Sequence, residues 1–597
     1  MKLARRAASA PALPTPQAPP TRAVAPTDSN ITPGGTRLGE LVVGAGLSSE
    51  KQVAEALEVL HSGVDKQLGR ILVERDVLSE RDLAMLLARQ HGLEVVDLRQ
   101  IAPTAEGLGL VTEEQARNLR FLPLSLTGDV ATVAVADPAP QSLAAIRAVV
   151  GKTLNVAVAA ESEIMQAINN SFRAIDDLSA RISAFEERDS QRRDAALPSG
   201  FASLTVNDDA PVVQVVQRII TQGIRDRASD IHIESHGDTI RIRFRIDGAL
   251  HDVLELPGSM GPAIASRIKI MAEMNIVERR RPQDGQISMD VEGRGVDIRV
   301  ATTPTIDGEK VVMRLLDKSR PLYQLAQLGM PEHTVRQLTA LLHSPYGMII
   351  CAGPTGSGKT TTLYGALGEI NDPSRNVMTI EDPVEYTFGT VNQIQINEQA
   401  GVTFAAGLKS ILRQDPDVIL VGEIRDVETA RIAVQSALTG HLVLSSLHAT
   451  DSISALHRLL DMGIEPFLVA SSVTAVVAQR LMRRVCKHCR VSYSPPREEL
   501  EFLREIGLMK PKKGFFRGPG CNFCAQTGYL ERIGVYEVLP VSEPIRALML
   551  DRGSHEELRA LARAEGMRTL LEGAGDLITS GITNIPEVLR AIYVQGS

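Results

Sequence analysis

The sequence predicts an α/β protein built around a parallel sheet with helices on both faces. Residues 326–480 alternate between short apolar runs and helix-compatible stretches, which is typical of such sheets. Residues Gly353–Thr360 have the spacing G-x-x-x-x-G-K-[ST] between an apolar run and a helical stretch. Acidic residues, Glu385 and Glu423, follow two further apolar runs. Together these features predict a domain that binds a nucleoside triphosphate.

The bulk composition limits the possible classes of protein. At 597 residues the chain should hold three or four domains of about 150 residues each. Its formal net charge of −8 provides no global basic field for nucleic-acid binding. No apolar run is long enough to span a membrane, and the start resembles no secretory signal. Five cysteines, four of them in two C-x-x-C pairs, suit a reducing compartment. We therefore expect a cytoplasmic protein.

The N-terminal third shows a tail, a repeat and a linker. Residues 1–35 are rich in Pro, Ala and Thr, and we expect a disordered tail. The segment Arg37–Glu50 recurs as Gln67–Glu80, and each copy predicts two short helices. Strand-like runs alternate with helices further on, so 36–172 is predicted to be an α/β docking domain. The charged residues 173–204 are predicted to be a solvated linker.

A second α/β domain is expected over 205–325. Its clearest signal is a strictly alternating strand that begins at Thr239 and ends in an Asp-Gly turn. Apolar residues occupy one face of this strand, and Arg241, Arg243 and Arg245 occupy the other. These arginines are either a solvated face or residues that point at the nucleotide of a neighbouring subunit.

The glycine-rich loop carries the phosphate-binding prediction. Its glycines let consecutive backbone N–H groups turn inward, and the following helix N-terminus adds partial positive charge. Lys359 would reach the β- and γ-phosphates of ATP, and the Thr360 hydroxyl would ligate Mg²⁺. The predicted nucleotide-binding residues are Gly353, Pro354, Thr355, Gly356, Ser357, Gly358, Lys359, Thr360 and Thr361.

Hydrolysis needs a carboxylate near the γ-phosphate as well as the metal. The run from Val377 ends in three carboxylates, of which Glu385 is the last, and the run from Asp417 ends at Glu423. The carboxyl ends of parallel strands share one edge of the sheet, so both acidic groups should converge on Lys359. His441 and His448 flank a third buried strand, and an imidazole can donate to a phosphate oxygen.

The paired cysteines predict a structural zinc site. Cys486, Cys489, Cys521 and Cys524 provide the four thiolates of a closed tetrahedral site, although the gap between the pairs exceeds the usual spacing. Four buried thiols without metal and a redox pair are the alternatives, and His488 is a possible substitute ligand. Cys351, before the glycine-rich loop, is predicted to be a small core residue.

Several blocks of sequence resemble one family. The chain resembles the secretion-superfamily ATPases of type II secretion systems and type IV pili, densely over 205–590 and more loosely over 36–172. The blocks that carry the resemblance are Gly353–Thr360, Thr379–Glu385, Asp415–Asp426, Thr439–His448, Arg280–Gly285 and Asn392–Asn397. The resemblance implies a RecA-like P-loop NTPase core over 326–597 with a zinc-binding insert over 486–524, and a preceding PAS-like α/β domain.

The same resemblance implies roles for individual residues. Glu385 would be the catalytic carboxylate that polarises the attacking water. Glu423 would help to hold Mg²⁺ through water, and His441 and His448 would couple the nucleotide state to domain movement. Arginines of the preceding domain would neutralise the transferred phosphoryl group across a subunit interface. The candidates for this role are Arg243, Arg245 and Arg280.

The N-terminal repeat resembles a domain that binds cyclic di-GMP in some family members. Those binders begin each copy with Arg and end it with Gln. Here the first copy ends in Leu60 and the second begins with Gln67, so half of the polar contacts are missing. We therefore expect a docking module for a membrane-complex partner and regard cyclic di-GMP binding as doubtful.

The activity implied by the resemblance is ATP hydrolysis in a homo-hexamer that assembles pilin or pseudopilin filaments. Its partners would be an inner-membrane platform protein and a membrane-anchored docking protein, which would tether it to the inner face of the cytoplasmic membrane. The wording of the blocks slightly favours type II secretion over type IV pili. A nucleic-acid-translocating RecA-like motor is one alternative, against which the net negative charge argues. A nucleotide-gated module without turnover is the other, against which the intact Lys359, Glu385 and Glu423 argue.

Overall fold

The computed structural model describes residues 38–61, 67–75, 77–99, 101, 103–172, 211–317, 324–505 and 514–592. The expected disordered tail over 1–35 and the expected linker over 173–204 lie outside these described residues. Three sheets define, in chain order, an N-terminal domain, a second domain and a C-terminal core.

The N-terminal domain joins four repeat helices to a four-stranded sheet. Its elements are α1 (Leu38–Gly44), α2 (Glu50–His61), α3 (Leu68–Glu74), α4 (Glu80–His91), β1 (Glu94–Val95), α5 (Ala105–Leu108), α6 (Glu113–Asn118), β2 (Phe121–Thr127), β3 (Val130–Val135), α7 (Pro140–Val150), β4 (Thr153–Val158) and α8 (Glu161–Ser171). Each copy of the repeat forms two helices, as predicted. Ser79 caps α4, because its hydroxyl accepts a hydrogen bond from the Asp82 amide at 3.1 Å. The strand order is β1-β4-β3-β2, and β2 alone runs antiparallel to its neighbour.

The second domain is a six-stranded antiparallel sheet with two helices on one face. Its elements are α9 (Pro211–Arg225), β5 (Asp230–His236), β6 (Thr239–Ile246), β7 (Ala249–Pro257), α10 (Gly261–Met271), β8 (Gln283–Val291), β9 (Arg294–Thr305) and β10 (Gly308–Asp317). The strand order is β7-β6-β5-β10-β9-β8. The predicted alternation of β6 is present, since Ile240, Ile242 and Phe244 are buried against the helices. The arginines of β6 therefore lie on the face that the helices leave uncovered.

The C-terminal core contains a seven-stranded sheet between two layers of helices. Its elements are α11 (Glu332–Leu342), β11 (Gly347–Ala352), α12 (Lys359–Ile370), β12 (Val377–Glu381), β13 (Asn392–Gln395), α13 (Phe404–Ile411), β14 (Val418–Val421), α14 (Val427–Leu438), β15 (Leu442–Leu447), α15 (Ser452–Asp461), α16 (Pro466–Ser472), β16 (Val473–Val485), β17 (Val491–Tyr493), α17 (Arg497–Glu505), β18 (Phe515–Arg517), β19 (Tyr529–Pro540), α18 (Glu543–Leu550), α19 (His555–Ala564), α20 (Leu570–Thr579) and α21 (Ile585–Ala591). Short 3₁₀ helices occur at Gly258–Met260, Leu325–Leu328, Glu398–Ala400 and Asn522–Cys524.

Burial on both faces explains why the core strands are continuous apolar runs. On β11, Ile350 packs into the apolar cluster on one side of the sheet, whereas Ile349 and Cys351 pack on the other, against α12. Cys351 is therefore a buried core residue, as predicted, and burial raises the pKa of its thiol to about 12. The strand order β13-β12-β14-β15-β11-β16-β19 brings the carboxyl ends of β11, β12, β14 and β15 to one edge.

The predicted fold class is confirmed. The last strand, β19, lies beyond the residues 326–480 for which a parallel sheet was predicted, and it runs antiparallel to β16. The two strands form one long hairpin that needs no crossover helix, and the cysteine insert occupies its tip. Among the described residues, none of the helices is both long and apolar enough to span a bilayer.

Candidate nucleotide and metal sites

The loop between β11 and α12 has the shape that its glycines predict. Gly356 and Gly358 adopt φ angles of +76° and +89°, in the left-handed region that favours glycine. A Cβ atom on Gly353 would lie 2.4 Å from the Ser357 Oγ, so this position also requires glycine. The loop leads directly into α12, whose N-terminal N–H groups favour an anion. All nine predicted nucleotide-binding residues, Gly353–Thr361, belong to this loop and the first helical turn.

Lys359 folds back onto the loop. Its Nζ donates hydrogen bonds to the carbonyl oxygens of Gly353 at 2.9 Å and Pro354 at 3.1 Å. Burial lowers the pKa of Lys359, and the positive charge of Arg480 lowers it further, whereas the negative charge of Glu423 opposes both effects. A phosphate in the loop would give the ammonium group a charged acceptor in place of the two carbonyls, which is a stronger interaction.

Two residues of β16 that the sequence analysis did not identify lie beside the loop. Because Ala478 pairs with Ala352, the residues that follow it are level with Gly353. The buried Gln479 donates from Nε2 to the Ser357 carbonyl at 2.7 Å and so supports the loop. Arg480 donates to the carbonyl oxygens of Gln479 and Thr450. The available sequence signal was a polar Gln-Arg pair that interrupts an apolar run.

The three carboxylates at the end of β12 and just after it have different environments. Glu381 is buried and accepts hydrogen bonds from Tyr364, from Thr379 at 2.6 Å and from Gln393 at 3.2 Å. Burial and this carboxylate together raise the pKa of Tyr364. Glu381 is therefore a structural residue, because its oxygens are occupied by fixed donors. Asp382 pairs with Arg425 at 3.2 Å.

Glu385 contacts a residue of the second domain. Both guanidinium nitrogens Nη1 and Nη2 of Arg299 lie 3.2 Å from the Glu385 carboxylate oxygens. Arg299 lies on β9, which also carries Arg294, and the sequence pattern does not distinguish the two arginines. The predicted water-polarising carboxylate and an arginine of the preceding domain are thus in contact within one chain.

Glu423 lies at the carboxyl end of β14, between a cation and a histidine. It forms an ion pair with Arg425, and its Oε2 lies 3.4 Å from the Nε2 of His448. Glu423 is also near enough to Lys359 for its charge to oppose the lowering of the lysine pKa by burial. Glu423 therefore lies on the Lys359 side of the sheet, as predicted, and His448 lies beside it.

His441 lies at the opposite edge of the sheet from His448. Its carbonyl oxygen accepts from the Gly347 amide at 3.1 Å, and its Nδ1 lies 2.9 Å from the Ser436 carbonyl oxygen. The six residues of β15 separate the two edges by about 20 Å. Only His448 can therefore contact a nucleotide that the glycine-rich loop of the same chain holds. A coupling role for both histidines stays a prediction.

The three candidate arginines of the second domain pair within that domain. Arg243 binds Glu234 through two hydrogen bonds of 2.8 and 2.9 Å. Arg245 lies 3.5 Å from Asp230, and the highly exposed Arg280 lies 3.4 Å from Glu278. Arg241 pairs with Asp252 in the same way. The structure does not bring these arginines to the glycine-rich loop of their own chain, and their action across a subunit interface stays a prediction.

The four cysteines of the insert form one cluster. The Sγ atoms of Cys486, Cys489, Cys521 and Cys524 all lie within 4.8 Å of one another. Three of the pairs are separated by 3.7–4.0 Å. In a tetrahedral zinc site with Zn–S bonds of 2.3 Å, the sulfur atoms would be about 3.8 Å apart. The arrangement therefore fits zinc bound by four thiolates and leaves no position for a reacting ligand.

Backbone N–H groups near the four cysteines favour the thiolate form that zinc binding requires. The Sγ of Cys524 accepts hydrogen bonds from the backbone N–H groups of Cys521 at 3.3 Å and Gly528 at 3.2 Å, which favour a thiolate. His488 stacks on the Phe523 ring, with 4.5 Å between ring centroids, and lies outside the four-sulfur cluster. The cluster therefore needs no histidine ligand.

Comparison with known proteins identifies the class to which this fold and site belong. A family model described as type II/IV secretion system protein matches residues 205–590, and a model of the MshEN domain matches residues 91–177. The first match covers more than half of the chain, which therefore belongs to the type II/IV secretion system protein family. The chain is accordingly an ATPase, as its glycine-rich loop and acidic strand ends predict.

Full-length relatives agree with this family. The chain is 38% identical over 564 residues to the type IV pilus assembly ATPase PilB of Myxococcus xanthus, covering 93% of this chain and 98% of that protein. It is 39% identical over 502 residues to type II secretion system protein E of Pectobacterium carotovorum, covering 83% and 98%. It is 47% identical over 394 residues to type II secretion system protein HxcR of Pseudomonas aeruginosa, covering 66% and 80%.

Two solved structures match part of this chain. The ATPase DotB of Legionella pneumophila is 21% identical with a TM-score of 0.47, covering 62% of this chain and 93% of that chain. The pilus retraction motor PilT with bound ADP is 26% identical with a TM-score of 0.44, covering 63% and 96%.

Proposed function

We propose that this chain forms a hexameric ATPase ring that couples ATP hydrolysis to the assembly of pilin or pseudopilin filaments. The ring would lie in the cytoplasm against the inner face of the cytoplasmic membrane. An inner-membrane platform protein and a membrane-anchored docking protein would be its partners. The relatives include both type II secretion and type IV pilus proteins, so the proposal covers both systems.

The observation that carries this proposal is the contact between Arg299 and Glu385. It joins the second domain to the carboxylate that lies at the nucleotide edge of the core. Any movement of the second domain relative to the core changes the environment of Glu385. Such a contact supports a motor, in which chemistry and domain movement depend on each other.

Each residue at this edge has a chemical role in the proposal. Lys359 and the loop N–H groups bind the phosphates, and Glu385 orients and polarises the attacking water. The exposed Thr360 hydroxyl and Glu423 would hold Mg²⁺, which neutralises phosphate charge when it is bound. Zinc at the four cysteines would stabilise the insert and take no part in hydrolysis.

The test is ATP turnover across the fractions of a size-exclusion column. Mg²⁺-dependent turnover should be confined to the hexamer fraction. Lys359→Ala and Glu385→Ala should each lower it by at least about a hundredfold. Glu369→Ala, at an exposed position of α12, is the matched control and should retain activity. Full activity in a strictly monomeric fraction, or in either variant of the nucleotide edge, would contradict the proposal.

Two further measurements separate the alternatives. Addition of DNA should leave turnover unchanged, whereas stimulation by DNA would favour a nucleic-acid motor. Cells that carry the Glu385→Ala chain in place of the native chain should form no filaments and secrete no filament-dependent protein. Normal filaments or secretion in those cells would refute the assembly function even if the purified protein hydrolyses ATP.

A further inference from the structure

The N-terminal domain contacts the second domain through a buried arginine. Arg225, the last residue of α9, has a side chain that is 9% exposed. Its Nη2 lies 2.8 Å from Glu113 Oε1 of α6, and it also pairs with Glu292 of its own domain. Its Nη1 donates to the carbonyl oxygen of Phe172 at 3.3 Å. A buried cation of the second domain is thus neutralised partly by the N-terminal domain.

The N-terminal domain also contacts the cysteine insert of the core. Gln166 of α8 donates from Nε2 to the Phe523 carbonyl oxygen at 3.1 Å. Phe523 is buried and lies in the turn between Cys521 and Cys524. Because the Cys524 sulfur accepts hydrogen bonds from two backbone N–H groups, the thiol cluster shapes the turn that presents this carbonyl.

One arginine links these two contacts. The Nη2 of Arg117 lies 2.5 Å from Glu113 Oε1 and 2.7 Å from Asn169 Oδ1. Arg117 therefore connects α6, which contacts the second domain, with α8, which contacts the cysteine insert. We call the surface formed by Glu113, Gln166 and Phe172 the clamp face.

We propose that the clamp face is an intramolecular docking surface whose partner is the motor of the same chain. It binds the second domain at Arg225 and the cysteine insert at Phe523. The second domain and the core meet at Arg299 and Glu385, so a domain that holds both restrains their relative movement. Undocking of the clamp face releases this restraint and raises ATP turnover. The inference concerns turnover alone, so it can fail while the filament-assembly proposal stands.

The test compares two ways of weakening the clamp face in the full-length hexamer. The variant Glu113→Gln/Gln166→Ala weakens it from the N-terminal domain, and Arg225→Gln weakens it from the second domain. The matched control is Glu114→Gln/Gln141→Ala, at exposed positions of α6 and α7. Hydrogen–deuterium exchange is followed in peptides over 161–171 and 515–530, together with the rate of ATP hydrolysis at saturating Mg-ATP.

Both variants should increase exchange in the two peptides by about tenfold, since each loses contacts that are partly shielded from water. They should also raise ATP turnover several-fold, while the control stays at the native values. Exchange at native rates in both variants would overturn the docking surface. Faster exchange with unchanged or reduced turnover would overturn the restraint. If Arg225→Gln and the double variant show the same changes in exchange and turnover, misfolding of the N-terminal domain is excluded as the cause of these changes, because Arg225 belongs to the second domain.

Discussion

Glu381, Glu385 and Glu423 share one edge of the core sheet, but their neighbours give them different properties. Fixed donors from the core occupy the oxygens of Glu381. Glu423 interacts with Arg425 and His448, which belong to the core as well. Glu385 is held by a residue of another domain. Glu385 is therefore the carboxylate of this group whose surroundings change when the domains move.

Arg299 is expected to act on the rate of hydrolysis more than on the binding of ATP. Arg299→Gln removes the guanidinium nearest to Glu385 and should lower kcat by about a hundredfold, because charge that develops in the transition state loses a cationic partner. The KM for ATP should change by less than about threefold. Steady-state kinetics of the hexamer fraction measure both constants.

Arg294→Gln is the control for this prediction, since Arg294 is exposed on the same strand. If Arg299→Gln raises KM and leaves kcat unchanged, the residue contributes to binding and has no role in the chemical step.

The environment of Glu234 predicts a dependence of stability on pH. Burial by itself would raise the pKa of Glu234, but Arg243 and Lys310 outweigh it and lower this pKa from 4.5 to about 2. A lowered carboxyl pKa adds stability that is complete above the unfolded value of 4.5 and is lost as the pH falls toward 2. Glu234→Gln should therefore lower the free energy of unfolding by about 2 kcal/mol at pH 7 and by less at pH 3.

Urea denaturation, followed by hydrogen exchange in peptides from β5 and β6, reports this domain within the full chain. The exposed Glu255→Gln should change the stability little at either pH. An equal loss of stability at pH 7 and pH 3 for Glu234→Gln would show that its charge is not the cause. A stabilising contact between Glu234 and Arg243 also assigns Arg243 a role within its own domain.

Local spacing predicted several elements of this chain correctly. The glycine-rich loop, the strict alternation on β6 and the two helices in each repeat copy depend mainly on residues that are close in sequence. The antiparallel β19 was not foreseen, because its pairing partner β16 lies on the other side of the cysteine insert. The apolar patterns of β16 and β19 do not show that the two strands pair, because the cysteine insert separates them in sequence.

The cysteine insert should depend on zinc. Cys489→Ser removes one thiolate of the cluster and should abolish the zinc content of the purified chain, measured by atomic absorption. Exchange in peptides over 515–530 should become faster, since the metal no longer holds the two C-x-x-C turns together. Cys351→Ala, outside the cluster, should retain the metal. Zinc retained by Cys489→Ser, or absent from the native chain, would refute a four-thiolate site.

The arrangement of the whole chain explains why a single subunit is expected to be inactive. His441 lies at the far edge of the core sheet, and Arg280 is exposed on the second domain. His441 cannot reach the glycine-rich loop of its own chain, and Arg280 pairs with Glu278 within its own domain. If His441 acts in hydrolysis, it acts at the site of a neighbouring subunit, which is consistent with a ring.

The described structure constrains the zinc site more directly than it constrains the partners of the N-terminal domain. The thiolate cluster is complete within the described residues and can be tested directly. The N-terminal domain uses α6 and α8 to contact its own motor, so a membrane partner that binds there would have to displace these contacts.

Residue type and spacing alone predicted the P-loop, the acidic strand ends and the four cysteines, and the sequence blocks around them carried the resemblance to the family. Each of these depends on neighbours in sequence or on the common edge of a parallel sheet, so a linear pattern is enough to reveal it. The contacts of Arg299 with Glu385, of Arg480 with Thr450 and of Gln166 with Phe523 join residues that are distant in the chain. Many exposed arginines look alike in sequence. Strand register and the packing of one domain against another determine which arginines contact a partner. Register and packing exist only in the folded chain, so a linear pattern does not show them.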